Sequence, residues 1–472
     1  MRVALDRTAR RLDGGRVLLG GSPLTVFRLG PGGRRVLDAI ERGDEVPARA
    51  HDLLDRLLDT GTAHPRPGPG PFNARDVTVI VPVHDEDPRP TLEALGAVGA
   101  TIVVDDASGV PVPAGVLHIS PGDRLLRHAT NRGPAAARAT GRAAATTPLL
   151  AFVDADCVPD EGWLEALLGH FEDERVGLVA PRVRSLRGPG AIARYETMRS
   201  PLDLGPVEGR VAPATRVAYV PAAAVVVRAA ALDSVGGFDP TLRVGEDVDL
   251  VWRLVSEGWR CRYEPRAVVS HRSRESLAAL ARQRFGYGRS AAALDRRHPG
   301  LVAPAVLQPW AVAGWTAIAA GWPLAGALAG LAPAVSLRRR LPAMPERDRE
   351  AVRLAALGFI RAGEQLASCL TRVWWPVALT ASFVSRRARR PLLATAAVPI
   401  AIGWVRTLGG PGESRSNPLA YVVLRAVDDL SYGAGVWAGA LRERRPGAIL
   451  PRRPGKVRFR SRPRRPPTGA RR

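Results

Sequence analysis

The sequence predicts an α/β protein with a mixed, mainly parallel sheet, a small N-terminal module and an apolar helical C-terminal region. Apolar and β-branched runs at 76–85, 100–108 and 149–153 predict buried strands, and segments of helical character separate them. Strands and helices that alternate at this spacing favour a parallel sheet with right-handed crossovers. Each run ends in carboxylates, which would therefore meet along one edge of the sheet.

Residues 1–64 are predicted to form a separate module. Short strands at 12–19 and 24–29 are followed by helical patterns at 34–41 and 50–58. This order resembles the winged-helix-like peptide-recognition domain found beside enzymes that modify ribosomally made peptides, which implies that an extended peptide would add as a strand to a free sheet edge. A cap that only packs on the next domain is the alternative.

Residues 65–75, rich in proline and glycine, predict a linker to a domain at 76–295. In that domain, Asp154 and Asp156 follow the third strand at the sheet edge. Two carboxylates in such a place suit a Mg²⁺- or Mn²⁺-class cation that also holds a diphosphate. Taken alone, the same D-x-D spacing is also typical of a solvated turn.

Other polar residues follow the second strand and open the next helix. Asp105 and Asp106 can accept hydrogen bonds from a nucleobase imide or a ribose hydroxyl, which a site for phosphate alone would not need. After Gly133, a helix N-terminus and Arg138 could face the diphosphate of a nucleotide-sugar. A packed crossover helix with surface arginines is the alternative.

A second acidic pair, Glu246 and Asp247, lies in the first turn of a predicted helix at 245–254. Val248 and Val251 share one apolar face of this helix. Acids in a first turn commonly only complement the helix dipole. The pattern by itself therefore leaves the function of this pair open.

Six motifs, in order and in register, resemble those of family 2 glycosyltransferases with the GT-A fold. They are VIVPVHD, VVDDAS, NRGPAAAR, FVDADC, GGFDP and GEDVDLVWRL, within about residues 77–289. The resemblance implies transfer of a sugar from a nucleotide-sugar with inversion. For nucleotide contact it implies Pro82, His84, Asp85, Asp106 and Asp154. For metal binding it implies Asp154 and Asp156. The general base would belong to the pair of Glu246 and Asp247, with Asp247 preferred.

This chemistry is consistent with the residue types. Direct displacement at an anomeric carbon needs a base within reach of the acceptor hydroxyl and an electrophile on the departing diphosphate. One carboxylate and one divalent cation, Mg²⁺ or Mn²⁺, supply both. No nucleophile on the enzyme is required.

Three residues nearer the end of this domain are further candidates. His271 follows a predicted strand and resembles a third metal ligand in some related enzymes, and a hydrogen-bonded structural role is the alternative. Arg282 and Arg284 belong to a basic cluster that could clamp the leaving nucleotide. The cluster departs from the Q-x-x-R-W signature of processive members, which argues against synthesis of long chains.

The region 296–450 is predicted to be helical and to associate with the cytoplasmic face of the cell membrane. No charged residue occurs between Leu301 and Leu337, but prolines interrupt this run. Such interruptions, with arginine clusters beside the apolar segments, favour interfacial or re-entrant helices, and a soluble helical domain is the alternative. Residues 451–472 carry ten basic residues and no acidic one, which predicts a disordered tail.

The overall composition excludes some classes of function. The formal net charge is +23, but no nucleic-acid-binding module or basic stripe with interleaved aromatics is present, so no nucleic acid partner is expected. Three scattered cysteines fit a reducing compartment. The N-terminus lacks the apolar segment of a secretory signal, which favours a cytoplasmic location.

The order of these regions resembles, as a whole, the glycosyltransferase family of mycofactocin biosynthesis. That resemblance implies glucose from UDP-glucose as the donor and a peptide-derived redox cofactor, or its growing oligosaccharide, as the acceptor. The alternatives are a membrane glycosyltransferase that acts on a polysaccharide or lipid, a sugar-nucleotide pyrophosphorylase, and a non-catalytic peptide-binding membrane scaffold. The segment from His84 to Asp87 contains three acidic residues. A pyrophosphorylase would instead need a glycine-rich, lysine-containing phosphate loop at this place.

Overall fold

The computed structural model of the chain describes residues 1–47, 50–117, 122–408 and 417–455. In its N-terminal part, β1 (Val3–Leu5) pairs antiparallel with β5 (Ala63–Pro65). Between them lie an antiparallel sheet and two helices, namely β2 (Arg10–Leu12), β3 (Val17–Gly20), β4 (Thr25–Arg28), α1 (Pro31–Arg42) and α2 (His51–Thr60). The single strand expected at 12–19 is therefore a hairpin, because the chain turns between β2 and β3 at Gly14 and Gly15.

Charged side chains tie this module to the domain that follows. Arg260 donates to Asp59 at 2.7 Å and to Asp55 at 2.6 Å, and both aspartates lie on α2. Arg66 forms a two-pronged pair with Glu208 at 2.6 Å for each hydrogen bond. Both contacts use the planar guanidinium fork, which fixes orientation as well as distance.

A nine-stranded sheet is the centre of the described structure, in the order β8–β7–β6–β9–β13–β11–β14–β10, with β12 paired to β14. Its strands are β6 (Val77–Val83), β7 (Ala100–Asp105), β8 (Arg124–Arg127), β9 (Leu149–Val153), β10 (Cys157–Pro159), β11 (Val176–Ser185), β12 (Gly209–Val211), β13 (Ala224–Arg228) and β14 (Arg260–His271). Successive side chains point to opposite faces, so Phe152 packs in one apolar core and Val153 in the other. Both faces of the sheet are therefore covered.

The sheet is mixed rather than mainly parallel. β8, β7, β6 and β9 run parallel to one another, as expected. β13 then lies antiparallel between β9 and β11, and β10 and β12 are both antiparallel to β14. The prediction of parallel pairing holds for the first half of the sheet, and in the second half β11 and β14 also run parallel to each other. The antiparallel pairs of the second half are not tight hairpins, since long segments connect β9 to β13 and β11 to β13.

Two apolar runs in the second half of the sheet differ from simple strands. The run at 219–228 forms a strand only from Ala224, and Tyr219 to Ala223 form an irregular segment because Pro221 cannot donate to a ladder. The runs at 258–263 and 267–271 belong to one strand, β14. It is an interior strand, since β11 lies on one side and β10 and β12 on the other.

Seven helices of this part pack around the sheet or extend from it: α3 (Arg89–Ala94), α4 (Pro134–Ala144), α5 (Trp163–Leu168), α6 (Ala191–Arg199), α7 (Ala229–Ser234), α8 (Glu246–Ser256) and α9 (Leu277–Arg297). The region 182–221, rich in Arg, Pro and Gly, contains α6 and β12. Helix α4 follows Gly133, and α8 follows Gly245. Both helices begin near the edge where β9 ends, since Gly133 and Gly245 each line a cavity together with Asp154.

The C-terminal region is helical throughout its described residues. Its helices are α10 (Pro309–Ala319), α11 (Pro323–Leu331), α12 (Pro333–Arg340), α13 (Arg347–Arg372), α14 (Trp375–Val384), α15 (Arg386–Leu408) and α16 (Pro418–Glu443). Three of the four prolines in the uncharged run begin helices, where the missing N–H has no partner to lose. None of the described helices is both long enough and apolar enough to span a lipid bilayer.

Helix α16 packs directly on α9 through glycines. A Cβ added at Gly288 would collide with the carbonyl oxygen of Tyr432, and one at Gly435 with that of Phe285. The small residues allow the two helix backbones to approach closely, which brings Tyr432 to a cavity that Asp154 also lines. The tail predicted at 451–472 lies outside the described residues from 456 onward.

Candidate active site

Asp154 and Asp156 lie at the end of the central strand β9. All five residues of β9 are fully buried, and the chain turns immediately after Val153. The turn is held because Cys157 donates its N–H to the carbonyl of Asp154 at 3.0 Å. The two carboxylates therefore have a rigid support, and the solvated-turn alternative does not describe them.

Asp156 contacts two basic side chains. The Nε2 atom of His271, at the end of β14, lies 3.2 Å from its Oδ2 atom, and Arg274 lies 3.6 Å from the same oxygen. Burial by itself would raise the pKa of Asp156, but the hydrogen bond with His271 and the charges of His271 and Arg274 lower it. Asp156 is thus held in its anionic form, as a cation ligand must be.

Arg138 bridges the D-x-D turn and the second acidic pair. Its Nη2 atom donates to Oδ1 of Asp154 at 2.7 Å, and its Nη1 atom donates to Oε1 of Glu246 at 2.7 Å. The guanidinium is almost fully buried and lies over the ring of Phe238. Burial raises the pKa of Asp154, and Arg138 offsets part of that rise. Arg138 therefore supports two candidate residues instead of presenting a free charge to a diphosphate.

Asp247 occupies a different environment from its neighbour Glu246. Gly245 adopts a φ of 87° before α8, so the first helical residues are directed into the site. Asp247 accepts hydrogen bonds from the N–H groups of Val248 at 2.8 Å and Ala222 at 3.4 Å. Burial, and after it the negative charge of Glu246, raise the pKa of Asp247 to about 7. A carboxylate with this pKa can take up a proton at neutral pH.

Two cavities meet at the D-x-D turn. The first has a volume of about 360 Å³ and is lined by Pro82, His84, Asp106, Asn131, Gly133 and neighbouring residues. The second has a volume of about 460 Å³ and contains Glu246, Asp247 and His271. Asp154, Asp156 and Arg243 line both. The predicted nucleotide residues and the predicted base therefore lie on opposite sides of the D-x-D carboxylates.

The acids at the end of β7 have structural partners. Asp106 accepts N–H groups from Arg132 and Gly133, at 2.9 Å and 2.7 Å, and contacts His128 at 2.6 Å. It thereby fixes the loop that borders the first cavity, and it also lines that cavity. Asp105 faces the other way, where it accepts from Ser108 at 2.8 Å and pairs with Arg127.

Asp85 lies just beside the first cavity. Its φ is 54°, an uncommon value for a residue with a side chain. The conformation is held because Asp85 donates its N–H to the hydroxyl of Ser108 at 3.0 Å and accepts the N–H of Gly109 at 2.7 Å. Asp85 thus connects the end of β6 to the loop after β7, while Pro82 and His84 line the cavity itself.

The structure does not bring Arg282 and Arg284 to either cavity. Arg284 is almost fully buried between helices, where it pairs with Glu196 at 3.0 Å and Asp428 at 3.2 Å. Arg282 is exposed on α9. Neither residue lines the nucleotide side of the site.

Several lining residues were not identified from the sequence. Arg243 borders both cavities and is exposed, whereas Arg138 is buried. Tyr219, Tyr287, Arg372 and Tyr432 line the second cavity. Arg372 and Tyr432 come from α13 and α16, and the guanidinium of Arg372 lies 4.0 Å from the Tyr432 ring centroid. No local pattern identifies these residues, because only tertiary packing brings them to the cavity.

The donor atoms at the D-x-D turn fit a divalent cation that also binds a ligand. Carboxylate oxygens of Asp154 and Asp156 suit Mg²⁺ or Mn²⁺. The described residues contain no cluster of three or more His, Cys, Asp and Glu side chains that could hold a metal ion. Sites that bind Mg²⁺ through one or two carboxylates commonly take substrate phosphates as further ligands.

Comparisons with known proteins find related sequences along this chain. A family model described as glycosyl transferase family 2 matches residues 78–233. The pre-mycofactocin glycosyltransferase of Mycobacterium tuberculosis is 45% identical over 462 residues, which is 95% of this chain and 97% of the relative. Polypeptide N-acetylgalactosaminyltransferase 15 of Mus musculus is 30% identical over 152 residues, 29% of this chain and 24% of that protein.

Among solved structures, mannosyltransferase PcManGT from Pyrobaculum calidifontis, in complex with GDP-Man and Mn²⁺, is 18% identical, with 80% of this chain and 92% of that chain covered and a TM-score of 0.39. The sequence relationship to the mycobacterial enzyme extends over nearly the whole of both chains. The motifs predicted from the sequence fall within or next to the segment that the family model matches. The chain is a glycosyltransferase that belongs to glycosyl transferase family 2 and to the same family as the pre-mycofactocin glycosyltransferase.

Proposed function

We propose that this enzyme transfers a sugar from a nucleotide-sugar to a hydroxyl of its acceptor, or of the oligosaccharide growing on it, by a metal-dependent, inverting displacement. The observation that carries the proposal is the position of the D-x-D carboxylates between two cavities, with nucleotide candidates on one side and Asp247 on the other. A donor whose diphosphate lies at Asp156 would present its anomeric carbon toward Asp247. Attack from that side inverts the configuration.

In this mechanism Asp247 accepts the proton of the acceptor hydroxyl. Its pKa of about 7 allows ionisation at neutral pH while keeping enough basicity to hold the proton. Glu246 and Asp154 are held by Arg138, so Asp247 is the carboxylate of the pair that remains available. When bound, a divalent cation would supply an electrophile for the departing diphosphate, held by Asp156 and His271 with Asp154.

Arg243 is proposed to contact the diphosphate. It is the arginine at the junction of the two cavities, and it is exposed on the loop before α8. Arg138, Arg282 and Arg284, the arginines expected there, are buried in ion pairs or lie outside the cavities. A guanidinium can bind a phosphate group because its planar donors form two parallel hydrogen bonds with two phosphate oxygens.

The acceptor is proposed from the mycobacterial relative. The name of that enzyme gives pre-mycofactocin as what it glycosylates, and the 45% identity over nearly the whole of both chains supports the same acceptor here. Glucose from UDP-glucose is proposed as the donor from the resemblance of the sequence to the mycofactocin glycosyltransferase family. The second cavity suits an acceptor with a flat or apolar body, because Tyr219, Tyr287 and Tyr432 line it.

The proposal is tested with purified protein, pre-mycofactocin and a panel of UDP-glucose, UDP-galactose and GDP-mannose, with MnCl₂ or with EDTA. Mass spectrometry is expected to show addition of a hexose only with UDP-glucose and metal, and NMR of the product to show the inverted anomeric configuration. Asp233→Asn, which removes a surface carboxylate, is the control and should transfer normally. Transfer at the same rate with EDTA as with MnCl₂ would contradict the mechanism. A product that retains the anomeric configuration of the donor would contradict it as well.

The N-terminal module is proposed to bind an extended peptide. β4 pairs only with β3 among the described strands, so its other edge offers backbone groups to an added strand. A proline placed on this edge, Val26→Pro, should weaken binding of a fluorescent precursor peptide at least tenfold in a polarisation assay. Val110→Pro, at an exposed loop residue outside the module, is the control. Equal affinity in the Val26 variant and the control would exclude strand addition.

We also propose that the C-terminal helices associate with the cytoplasmic face of the cell membrane. Large apolar side chains are exposed there, among them Trp322, Leu324, Phe383 and Val384, and arginines follow them at 386–390. The protein should float with vesicles that contain anionic lipid. A Phe383→Ser/Val384→Ser variant should lose most of this association, and an unchanged flotation would contradict it.

A further inference from the structure

A third and larger cavity lies between the N-terminal module and the catalytic sheet. Its volume is about 730 Å³, and its walls come from α2, β12, the start of β14 and the segment around Arg452. Arg262, in this wall, pairs with Val179 of β11, whereas His271 pairs with Ser185, six positions further along, which corresponds to about 20 Å. This cavity is therefore separate from the D-x-D site, although Leu301 lines both.

Arg262 is the unusual residue of this cavity. Its side chain is 3% exposed, and its Nε and Nη1 atoms have no hydrogen-bond partner in the described part of the chain. Burial, and after it the charge of Arg260, lower the pKa of Arg262 to about 10. Buried guanidinium donors without partners are costly, so native proteins normally satisfy them.

The neighbouring charges do not explain Arg262. Arg175 and Arg260 share three carboxylates, those of Asp55, Asp59 and Asp173. Arg210 stands directly opposite Arg262 in the pairing of β12 with β14, and Arg452 lines the same cavity. Five arginines thus accompany three aspartates, and like charges face each other across a strand pair, which is unfavourable unless an anion lies between them.

Apart from Asp59, Thr25 and Thr60, the rest of the wall is mainly apolar. Leu58, Val255 and Trp259 border the cavity beside the arginines. A free phosphate would fill only a small part of this volume and would leave these side chains without contact. The cavity therefore suits a molecule with an anionic group at one end and an apolar body at the other.

We infer that this cavity binds a small organic anion, with a carboxylate or phosphate group on Arg262 and Arg210 and an apolar body against Trp259. The guanidinium of Arg262 would donate to one oxygen of that group and the guanidinium of Arg210 to another. The ligand would contact both the module and the catalytic domain. Its binding would therefore stabilise the arrangement of the two parts.

The experiment is calorimetric titration of the full chain with benzoate and with phenyl phosphate, and with benzyl alcohol as the neutral analogue. At least one anion is expected to bind with a Kd in the low millimolar range or tighter, and the alcohol at least tenfold more weakly. The comparison of the two anions distinguishes a carboxylate from a phosphate site. The titration is repeated on Asp156→Ala, where an anion that binds outside the D-x-D site should keep its affinity.

Arg262→Met should weaken binding at least tenfold, while Arg28→Met, which removes an exposed arginine of β4 outside the cavity, should stay within twofold. Should Arg262→Met fail to fold, Arg210→Met replaces it with the same expectation. Absence of anion binding in the unmodified chain, equal binding of the alcohol, or unchanged affinity in the Arg262 variant would each overturn the inference.

Discussion

Arg138 donates from Nη1 to Oε1 of Glu246 at 2.7 Å, although the two residues are 108 positions apart in the sequence. The same guanidinium holds Asp154, so one buried arginine fixes the D-x-D turn relative to the start of α8. The contact also fixes the first turn of α8, which carries Asp247 as the residue after Glu246. The geometry of the site is thus set by a residue that does not line the nucleotide cavity.

Arg138→Met should therefore destabilise the protein. It leaves Asp154 and Glu246 without their shared partner, and loss of one member of a buried ion pair costs about 3 kcal/mol or more. The free energy of unfolding is measured by denaturant titration. Arg142→Met, on the same helix, breaks a surface pair with Asp233 and should cost less than about 1 kcal/mol. Equal losses in the two variants would mean that the bridge contributes little.

His271→Ala should weaken binding of Mn²⁺ in the presence of UDP about tenfold or more, as removal of one metal ligand does, with Asp156→Ala at least as damaging. Electron paramagnetic resonance of free Mn²⁺ measures the affinity without a catalytic readout. His51→Ala, which removes an exposed imidazole of α2, is the control. Equal Mn²⁺ affinity in His271→Ala and the control would assign His271 to a purely structural role.

Arg243 and Arg284 should respond differently to loss of charge. Arg284 ties α9 to α6 and α16, so Arg284→Met should lower the free energy of unfolding by about 3 kcal/mol or more. Arg243→Met should leave stability unchanged and raise the KM for the nucleotide-sugar about tenfold, by loss of a charged hydrogen bond to phosphate. Arg282→Met should change neither quantity. A raised KM with normal stability in Arg284→Met would restore the nucleotide clamp suggested by the sequence.

The sequence predicted those strands and site residues that a local residue pattern marks. β6, β7 and β9 are apolar runs whose buried apolar side chains pack in one of two cores, so periodicity and turn residues located these strands and the carboxylates after them. The motifs that gave the family also gave Asp154, Asp156 and Asp247. These residues are close to strand or helix ends, where sequence patterns are strongest.

The remaining features depend on contacts that no local pattern encodes. Asp105 and Asp106 are adjacent in the sequence, but their side chains face opposite directions from the end of β7, and only one reaches the cavity. Arg284 had the position of a nucleotide clamp, and its partners Glu196 and Asp428 lie far away in the chain. Tyr432 reaches the site because the glycines of α9 and α16 let those helices pack closely.

The pH dependence of transfer should follow Asp247. Because its pKa is raised to about 7, the carboxylate is protonated and inactive as a base below that value, so kcat/KM should rise from pH 5.5 to 8 and then level. A steady-state pH profile measures this. Asp233→Asn should keep the same profile. A rate that is constant over this range would argue against Asp247 as the base.

The same shift predicts a change in stability. The folded chain holds this proton up to about pH 7, whereas an unfolded aspartate has a pKa near 3.8, so Asp247 stabilises the folded state at low pH and loses that contribution as the pH rises through about 7. Asp247→Asn removes the dependence. The melting temperature of the variant relative to the unmodified protein should therefore be higher at pH 8 than at pH 5. The same difference at both values would mean that the pKa of Asp247 is not raised.

The central claim is that Asp247 acts as the base in a site where the donor is held by other residues. It is tested most directly by Asp247→Asn, with UDP-glucose affinity measured calorimetrically in the presence of Mn²⁺ and transfer to the acceptor measured in a single turnover. The account predicts donor affinity within about twofold of the unmodified enzyme and a transfer rate reduced by about 10²- to 10⁴-fold. Transfer at the original rate, with the donor bound equally well, would contradict it.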